Sequence, residues 1–348
     1  MLNKVNTLIM LKKARTFSTL FGSKSYFIPA LLAKRQSSSA HSTLKEGNPP
    51  RHFEEIAIPV PWGHLSGKWY GPTNVRPIIG LHGWLDNAGT FDTLAPLLPQ
   101  HIGFLCLDLP GHGRSSWLPF GMSYHSIDYV TLLLRVMNFY GWEKISMICH
   151  SMSSINGFVF SALFPEKIDI MVGLDNLKTI TQSGAQIVDA YKKNLQDLMV
   201  FENRASDSYP PCYKWHELVH RLHHGTNKSV CREKCKYLLN RGVQPSEHEP
   251  KKYYFSRDNR LKKAFFYGFS NDVPIDMARR ITSPYLFIKA LNSTYYEPRK
   301  YFDETLDIMQ KNPAFEYHEV TGTHHVHLNE PEKVAPIINS FINKWRPT

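Results

Sequence analysis

Short apolar runs alternate with helical patterns from residue 52 onwards, and this alternation limits the chain to few architectures. Runs that fit one buried strand each occupy residues 76–81, 103–107, 145–149, 168–174, 285–290 and 314–320. Helical patterns occupy residues 91–98, 123–140, 152–164, 299–310 and 331–344. Strands joined through helices run parallel and need cover on both faces. The sequence therefore predicts an α/β fold, a mostly parallel sheet with helices on both faces.

This alternation stops between residues 177 and 280, where Lys, His and Tyr become frequent and no buried strand is evident. A stretch of about a hundred residues is too long for a simple connection and needs structure of its own. We expect residues 177–280 to form a helical lid, inserted into an α/β core made of residues 46–176 and 281–348.

Most of the net charge of +11 lies in the first 45 residues. They hold eight Lys or Arg residues and no Asp or Glu, which leaves 33 basic and 30 acidic residues in the rest of the chain. This balanced remainder argues against a nucleic-acid-binding face. A basic, Ser-rich and acid-free amphipathic leader is typical of a mitochondrial transit peptide, so we expect residues 1–45 to be a targeting segment.

A disordered basic leader is the alternative, and it would leave a cytoplasmic or peroxisomal protein. The C-terminal Arg346-Pro347-Thr348 is not a peroxisomal signal of the Ser-Lys-Leu kind. No apolar run approaches the ~18–20 residues that span a bilayer, so we expect no transmembrane segment. Five cysteines without disulfide spacing indicate reduced thiols.

One predicted strand ends in a serine at the point where a helical pattern begins. Ser151 follows the strand 145–149, and the helix starts at Met152. Ligands bind beyond the carboxyl ends of parallel strands, and a serine on such a tight turn is arranged as a nucleophile elbow. The plainer interpretation of Ser151 is a helix N-cap.

Two further strand ends offer an acid and a base. Asp175 follows the strand 168–174, and His324 lies in the loop after the last strand. The chain order Ser151, Asp175, His324 is nucleophile, acid, base, unlike the orders in chymotrypsin and subtilisin. A serine hydroxyl needs a neutral imidazole to accept its proton, and a carboxylate fixes the tautomer of that imidazole.

Two backbone N–H groups are expected to stabilise a developing oxyanion beside Ser151. One belongs to Met152, at the start of the helix, and the other to Trp84, in the loop after the strand 76–81. Loss of one such donor typically costs ~3 kcal/mol of transition-state stabilisation.

Several motifs together resemble the α/β-hydrolase superfamily, and most closely its serine hydrolase-like branch with the kraken-type proteins. They are HGWLDN (82–87), LDLPGHGRSS (107–116), the turn at Ser151, GTHHVHLNEPE (322–332) and the lid stretch YYFSRDNRLK (253–262). The resemblance covers residues 52–345. It implies an α/β-hydrolase fold that hydrolyses an ester-type bond in a pocket between core and lid. It also implies that Ser151 is the nucleophile and His324 the base, with His327 as the second loop histidine and His325 as the rival base.

The chain departs from this family at two points. The turn reads Cys149-His150-Ser151-Met152-Ser153, where glycine is usual at both ends. Extra side-chain atoms there can displace the nucleophile, and an error of 1 Å can cost ~100-fold in rate. Many members carry the acid after the strand 285–290, where this chain has no Asp. Asp175 stands one strand earlier, a known alternative location, and Glu297 remains open as the acid.

Two histidine patterns also invite a metal interpretation. His216 and His220 form an H-E-x-x-H motif with Glu217, in which two histidines bind zinc and the acid activates water. Neither His223 nor His224 offers a third ligand at a recognised spacing. The three histidines of residues 324–327 lack an accompanying carboxylate or cysteine ligand set. We interpret the first pattern as a lid helix and the second as a catalytic loop, and expect no metal and no cofactor.

The sequence thus predicts a serine hydrolase that cleaves an ester-type bond of a small, apolar molecule through an acyl-enzyme. The apolar preference rests on aromatic residues such as Trp84 near the expected pocket. A catalytically silent α/β-hydrolase used for binding is the first alternative, because of the altered turn, and a zinc peptidase is the second. A small-molecule substrate is the only partner indicated, and the oligomeric state stays open.

Overall fold

An eight-stranded sheet forms the centre of the fold in our computed structural model, which describes residues 51–204, 210–266 and 268–346. The predicted targeting segment, residues 1–45, lies outside the described residues. The strands of this sheet are β1 (Phe53–Val60), β2 (Gly63–Tyr70), β3 (Ile78–Leu81), β4 (Phe104–Leu107), β5 (Ile145–His150), β6 (Ile168–Leu174), β9 (Tyr285–Ala290) and β10 (Phe315–Val320). The strands β7 (Val243–Pro245) and β8 (Tyr253–Phe255) pair with each other outside it.

The strand order explains how the chain builds this sheet. Neighbouring strands follow the order β1-β2-β4-β3-β5-β6-β9-β10. β1 and β2 form an antiparallel hairpin, and β2 pairs antiparallel with β4. All further pairs in this sheet are parallel. The carboxyl ends of β3, β5, β6, β9 and β10 therefore meet at one edge, where the sequence predicts the active site.

Helices lie on both faces of the sheet, as predicted. The α-helices are α1 (Ser126–Tyr140), α2 (Met152–Leu163), α3 (Gly184–Arg204), α4 (Trp215–Gly225), α5 (Cys235–Gly242), α6 (Asp272–Arg280), α7 (Arg299–Met309), α8 (Val326–Asn329) and α9 (Ala335–Trp345). Successive side chains of a strand point to opposite faces. Met147 of β5 accordingly belongs to a buried cluster that includes residues of α1, α2 and α7, whereas Ile148 belongs to a second cluster that includes residues of α9.

One predicted helix is absent. Residues 91–98 form no α-helix, and two 3₁₀ turns, Ala88–Phe91 and Ala95–Leu97, occupy this part of the chain. Pro96 has no N–H to donate, and its ring obstructs a preceding α-helical turn. Asn87 caps the first turn, because its side-chain oxygen accepts a hydrogen bond of 3.0 Å from the backbone N–H of Gly89.

Residues 177–280, here called the inserted segment, connect β6 to β9. In its described part, helices α3 to α6 are accompanied by the short antiparallel ribbon β7–β8, which the sequence did not predict. Its last helix packs on the core, since Ala278 belongs to the same buried cluster as Phe158 of α2. The described residues belong to one compact unit. No helix among them is long and apolar enough to cross a bilayer.

A buried ion pair ties the inserted segment to the sheet. Arg241 of α5 donates a hydrogen bond of 2.7 Å to Asp108, at the end of β4, and a further one of 3.0 Å to Ser66. Both charged side chains are almost fully buried. Asp108 also accepts from the backbone N–H groups of Ala88 and Arg114, each at 2.8 Å. The LDLPGHGRSS motif therefore has a structural role here.

Replacement of Arg241 by methionine should destabilise the protein strongly. The change leaves the carboxylate of Asp108 buried without its cation, which typically costs about 3–5 kcal/mol in the free energy of unfolding. Urea denaturation measures this loss. Arg114→Ala is the matched control, because Arg114 pairs with Glu55 at the surface and should cost less than about 1 kcal/mol. Equal losses in both variants would contradict a special role for the buried pair.

Candidate active site

The turn between β5 and α2 holds Ser151 in an unusual backbone conformation. Ser151 has a φ of 54° and a ψ of −116°, a region that residues other than glycine rarely adopt. Its N–H donates a hydrogen bond of 3.0 Å to the carbonyl of Leu174 in β6. The sharp turn directs the chain from the strand straight into the helix, and the side chain of Ser151 lines a cavity at this edge of the sheet.

The two unusual residues of this turn are both accommodated. The hydroxyl of Ser153 donates a hydrogen bond of 2.5 Å to the carbonyl of His82, which links α2 to the loop after β3. Cys149 is fully buried and pairs with Gly173 of β6. A methyl group on Gly157 would lie 3.4 Å from the sulfur of Cys149. Gly157 and Gly173 thus leave room for the Cys149 side chain, and a hydrogen bond holds the side chain of Ser153.

Three predicted catalytic side chains meet beside this turn. The Nε2 atom of His324 lies 2.7 Å from the hydroxyl oxygen of Ser151. The Nδ1 atom of the same ring hydrogen-bonds the carboxylate of Asp175. With Nδ1 carrying the proton, Nε2 is free to accept the proton of the serine hydroxyl. The arrangement has the geometry of a nucleophile, a base and an orienting acid.

Asp175 is held by more partners than the sequence indicated. Lys289 of β9 donates a hydrogen bond of 2.6 Å to the carboxylate, the N–H of Ala290 donates one of 3.0 Å, and the hydroxyl of Ser293 donates another. Burial alone would raise the pKa of Asp175. The hydrogen bond to His324 and the charges of His324 and Lys289 outweigh burial and hold this pKa well below its usual value. The acid is therefore a stable carboxylate.

The sequence analysis did not identify Lys289 and Ser293 as partners of Asp175, although the sequence contains an indication of each. A lysine inside the otherwise apolar run 285–290 indicates a buried charge that needs a partner. Ser293 follows the strand at which related chains often carry the acid. It supplies a hydrogen-bond donor to Asp175 there.

The two alternative triad members have other partners. Glu297 accepts a hydrogen bond of 2.7 Å from Lys178 and one of 2.8 Å from the N–H of Thr181. His325 bonds Asp86 through Nε2 at 3.1 Å and Ser229 through Nδ1 at 2.8 Å. Among the described residues, Glu297 forms no hydrogen bond to His324 and His325 forms none to Ser151, although the alternatives would require these bonds.

The loop after β3 approaches Ser151 closely. A methyl group on Gly83 would lie 3.1 Å from the Cβ of Ser151. Among the described residues, no acceptor is found for the N–H groups of Trp84 and Met152. The indole of Trp84 donates a hydrogen bond of 2.8 Å to the carbonyl of Leu261 in the inserted segment. Both N–H groups are available, and their role as an oxyanion hole remains a prediction.

One group of side chains in the described ranges has the composition of a metal site. Asp86, His150 and His325 offer ligand atoms that all lie within 4.8 Å of one another. Hydrogen bonds engage most of these atoms: His325 bonds Asp86, and Nε2 of His150 donates 2.9 Å to the carbonyl of His324. This network positions the loop that carries His324.

The H-E-x-x-H residues do not converge on a metal-binding arrangement. His216, Glu217 and His220 are all exposed on α4. Glu217 accepts a hydrogen bond of 2.7 Å from the N–H of Lys214 and so caps the helix. No third ligand joins these histidines within the part of the chain that the structure describes.

A cavity of about 890 Å³ lies between Ser151 and the inserted segment. Its apolar lining includes Trp84 and Phe266, whose rings meet edge to face at 5.7 Å. Polar atoms also line it: the amide of Asn156 and the hydroxyl of Thr179 are buried and have no hydrogen-bond partner among the described residues. The cavity therefore suits a ligand with both apolar and polar parts.

Known sequences similar to this chain belong to the α/β-hydrolase family. The profile of the family described as alpha/beta hydrolase fold matches residues 76–331. A probable serine hydrolase of Drosophila melanogaster is 33% identical over 296 residues, which cover 84% of this chain and 88% of that protein. A serine hydrolase-like protein of Danio rerio is 32% identical, with 92% of this chain and 95% of that protein covered. The resemblance to the serine hydrolase-like branch is confirmed.

Solved structures confirm the fold. A hypothetical protein from Pseudomonas aeruginosa PAO1 superposes with a TM-score of 0.71 and 27% identity, covering 84% of this chain and 98% of that one. The thioesterase domain from the curacin biosynthetic pathway superposes with a TM-score of 0.68 and 19% identity, covering 82% of this chain and 99% of that domain. The second likeness concerns the fold alone.

Acid should destabilise the protein through His150. Burial lowers the pKa of this imidazole to about 4, and the nearby carboxylate of Asp86, 3.7 Å from Nδ1, opposes this lowering only in part. Between about pH 6.5 and about pH 4, His150 is protonated in the unfolded chain but stays neutral in the folded chain. The free energy of unfolding therefore falls as the pH falls through this range. We expect this group to remove about 2–3 kcal/mol across that window.

Urea denaturation at a series of pH values measures this effect. The His150→Gln variant should show a shallower decline, because glutamine keeps a donor toward the carbonyl of His324 but does not titrate. A comparison at neutral pH establishes that the variant is folded. Parallel declines in the two proteins would show that His150 does not carry the pH dependence.

Proposed function

This chain belongs to the α/β-hydrolase family, and on that premise we propose that it is a serine hydrolase that cleaves an ester-type bond through an acyl-enzyme. The contact between Ser151 and His324, with Asp175 behind the imidazole, carries the proposal. All three residues follow the carboxyl ends of strands, and the serine lies on a strained turn. Fold membership alone would be compatible with a binding protein.

In the first half of the reaction, the hydroxyl oxygen of Ser151 attacks the carbonyl carbon of the substrate. Nε2 of His324 accepts the hydroxyl proton, and the carboxylate of Asp175 stabilises the resulting imidazolium. The negative charge that develops on the carbonyl oxygen is stabilised by the N–H groups of Trp84 and Met152. His324 then returns the proton to the leaving alcohol or thiol, which departs and leaves the acyl group on Ser151.

In the second half, water takes the place of the departed alcohol or thiol. His324 accepts a proton from this water as it attacks the acyl carbonyl, and the same N–H groups stabilise the second oxyanion. As the intermediate collapses, the bond between the acyl carbon and the oxygen of Ser151 breaks, His324 returns its proton to that oxygen, and the acid is released. The inserted segment covers the cavity as a lid during both steps.

The cavity lining supports a small substrate with an apolar portion. Trp84, Ile155, Ile180 and Phe266 provide apolar surface near Ser151. An apolar acyl or alkyl group fits there better than a peptide, whose many backbone groups would need hydrogen-bond partners. The unpartnered groups of Asn156 and Thr179 bond a single polar group of such a substrate.

A fluorophosphonate probe should label the protein covalently at Ser151. Such probes react with serines that an adjacent base activates. Mass spectrometry should locate the adduct on the peptide that contains Ser151, and Ser151→Ala should abolish labelling. Ser161→Ala serves as the matched control, because its hydroxyl only bonds the carbonyl of Gly157 within α2.

The same assay identifies the acid. Asp175→Asn should slow labelling by about 100-fold or more, because the imidazole loses its orienting partner. Glu297→Gln should label at the wild-type rate, since Glu297 pairs with Lys178. A folded wild-type protein that is not labelled would contradict the enzyme proposal and favour the binding protein.

We propose in addition that residues 1–45 direct the protein to mitochondria, because eight basic and no acidic residues lie there. A fluorescent protein fused behind residues 1–45 should enter mitochondria in cells. Replacement of the basic residues of this segment by glutamine should prevent import. A wild-type fusion that stays in the cytoplasm would overturn the proposal.

A further inference from the structure

The charged side chains that line the cavity are mostly positive. Arg221, Lys228, Arg257 and Lys262 line it, against the single carboxylate of Asp86. His325 bonds that carboxylate, whose charge acts on Arg257 only from a distance and without a hydrogen bond. Within the described residues, none of the four cations forms a salt bridge with a carboxylate, although such pairs are common elsewhere in this chain. The cavity lining therefore carries more positive than negative charge.

Arg257 lies deepest among these four cations. Its side chain is half-buried, whereas Arg221, Lys228 and Lys262 are exposed at the rim. Its guanidinium carbon lies 4.5 Å from the ring centre of Phe255. Its Nε atom is buried and has no hydrogen-bond partner among the described residues. A guanidinium held against an aromatic ring with a free donor is prepared to bind an anion.

The neighbouring charged residues of the same stretch differ from Arg257, because they are bonded within the protein. Arg260 donates to Asp258 at 2.9 Å through Nε, and to the carbonyls of Pro119 and Met122 at 2.7 and 2.9 Å. Asp258 also accepts a hydrogen bond of 2.8 Å from Tyr124. The motif YYFSRDNRLK thus contains one arginine that is fully bonded within the protein and one that faces the cavity unpaired.

We infer that the substrate of this cavity carries a separate negative charge, a carboxylate or a phosphate, which Arg257 binds through paired hydrogen bonds. The three cations at the rim attract such a molecule from solution. Its apolar portion packs on Trp84 and Phe266. The substrate class is an ester or thioester that is anionic at a point remote from the scissile bond. That this substrate is hydrolysed follows from the proposed function, whereas the preference for an anionic substrate is argued from Arg257.

Matched substrates test the inference. Para-nitrophenyl hydrogen adipate and para-nitrophenyl hexanoate have acyl chains of equal length and differ in one terminal carboxylate. Para-nitrophenyl phosphonopentanoate carries a phosphonate at the same distance, so its rate relative to the adipate ester distinguishes a phosphate site from a carboxylate site. The wild-type kcat/KM for the preferred anionic ester should exceed that for the hexanoate ester by about 10- to 100-fold and should fall with salt.

Arg257→Gln should remove this preference. Its kcat/KM for the anionic ester should fall by about 10- to 100-fold, mainly through KM, while that for the hexanoate ester stays within about twofold. Arg257→Lys should retain part of the preference, because it keeps the charge but loses the paired donors. Arg279→Gln is the control, since Arg279 lies on the exposed face of α6 and pairs with Asp276. Equal effects of Arg257→Gln on both esters, or a wild-type preference for hexanoate, would overturn the inference.

A binding measurement separates this inference from the proposed function. Calorimetry measures binding to Ser151→Ala without turnover. The ligands are monomethyl adipate and the methyl carboxylate ester of 5-phosphonopentanoate, each with its second acid group free. We expect binding of at least one of them that Arg257→Gln weakens by about tenfold or more. Such binding without fluorophosphonate labelling of wild type would refute the hydrolase and leave the anion site standing. Labelling at Ser151 without Arg257-dependent binding would refute the anion site and leave the hydrolase standing.

Discussion

The positive φ of Ser151 is the constraint around which the rest of the molecule is arranged. A backbone conformation of this kind costs of order 1–3 kcal/mol outside glycine, and it persists only where the surroundings fix it. The parallel pairing of β5 with β3 and β6 fixes the strand before the turn, and α2 fixes the chain after it. The turn brings the serine hydroxyl to the carboxyl edge of the sheet, within reach of the loops from other strands.

Space around that turn comes from residues on neighbouring elements. Gly83 lies against Ser151, Gly173 pairs with Cys149, and Gly157 lies close to the Cys149 sulfur. Cys149 therefore fits while Ser151 stays within hydrogen-bond distance of His324. Ser153 adds a hydrogen bond to the loop after β3. The turn lacks its usual glycines, and glycines on three neighbouring segments, Gly83, Gly157 and Gly173, lie close to it instead.

Buried charges hold the second half of the site. Asp175 has a φ of 71° at the end of β6, and Lys289 of the adjacent strand β9 neutralises it. A carboxylate without such partners would be costly to bury. Lys289 and Ser293 thus explain how the acid can stand on β6. The inserted segment is fixed by the same kind of contact, Arg241 with Asp108, and by the hydrogen bond from Asn87 to the carbonyl of Leu238.

The alternation of apolar runs and helical patterns determined the sheet and its order of elements, because a parallel strand buried on both faces must be apolar throughout. The strand–serine–helix pattern and the chain order likewise determined Ser151, Asp175 and His324 as candidates. The helix predicted at 91–98 is wrong because Pro96 interrupts it, and the ribbon β7–β8 was not predicted because it depends on contacts between the two strands in the folded chain. Only the tertiary structure shows that Asp175, and not Glu297, bonds His324, and that His324, and not His325, lies against the hydroxyl of Ser151. It also revealed Lys289 behind the acid and the unpaired Arg257 in the cavity. Local patterns report which face of an element is buried, whereas the cations that pair with Asp175 and Asp108 lie 114 and 133 positions away, and only the folded chain brings them together.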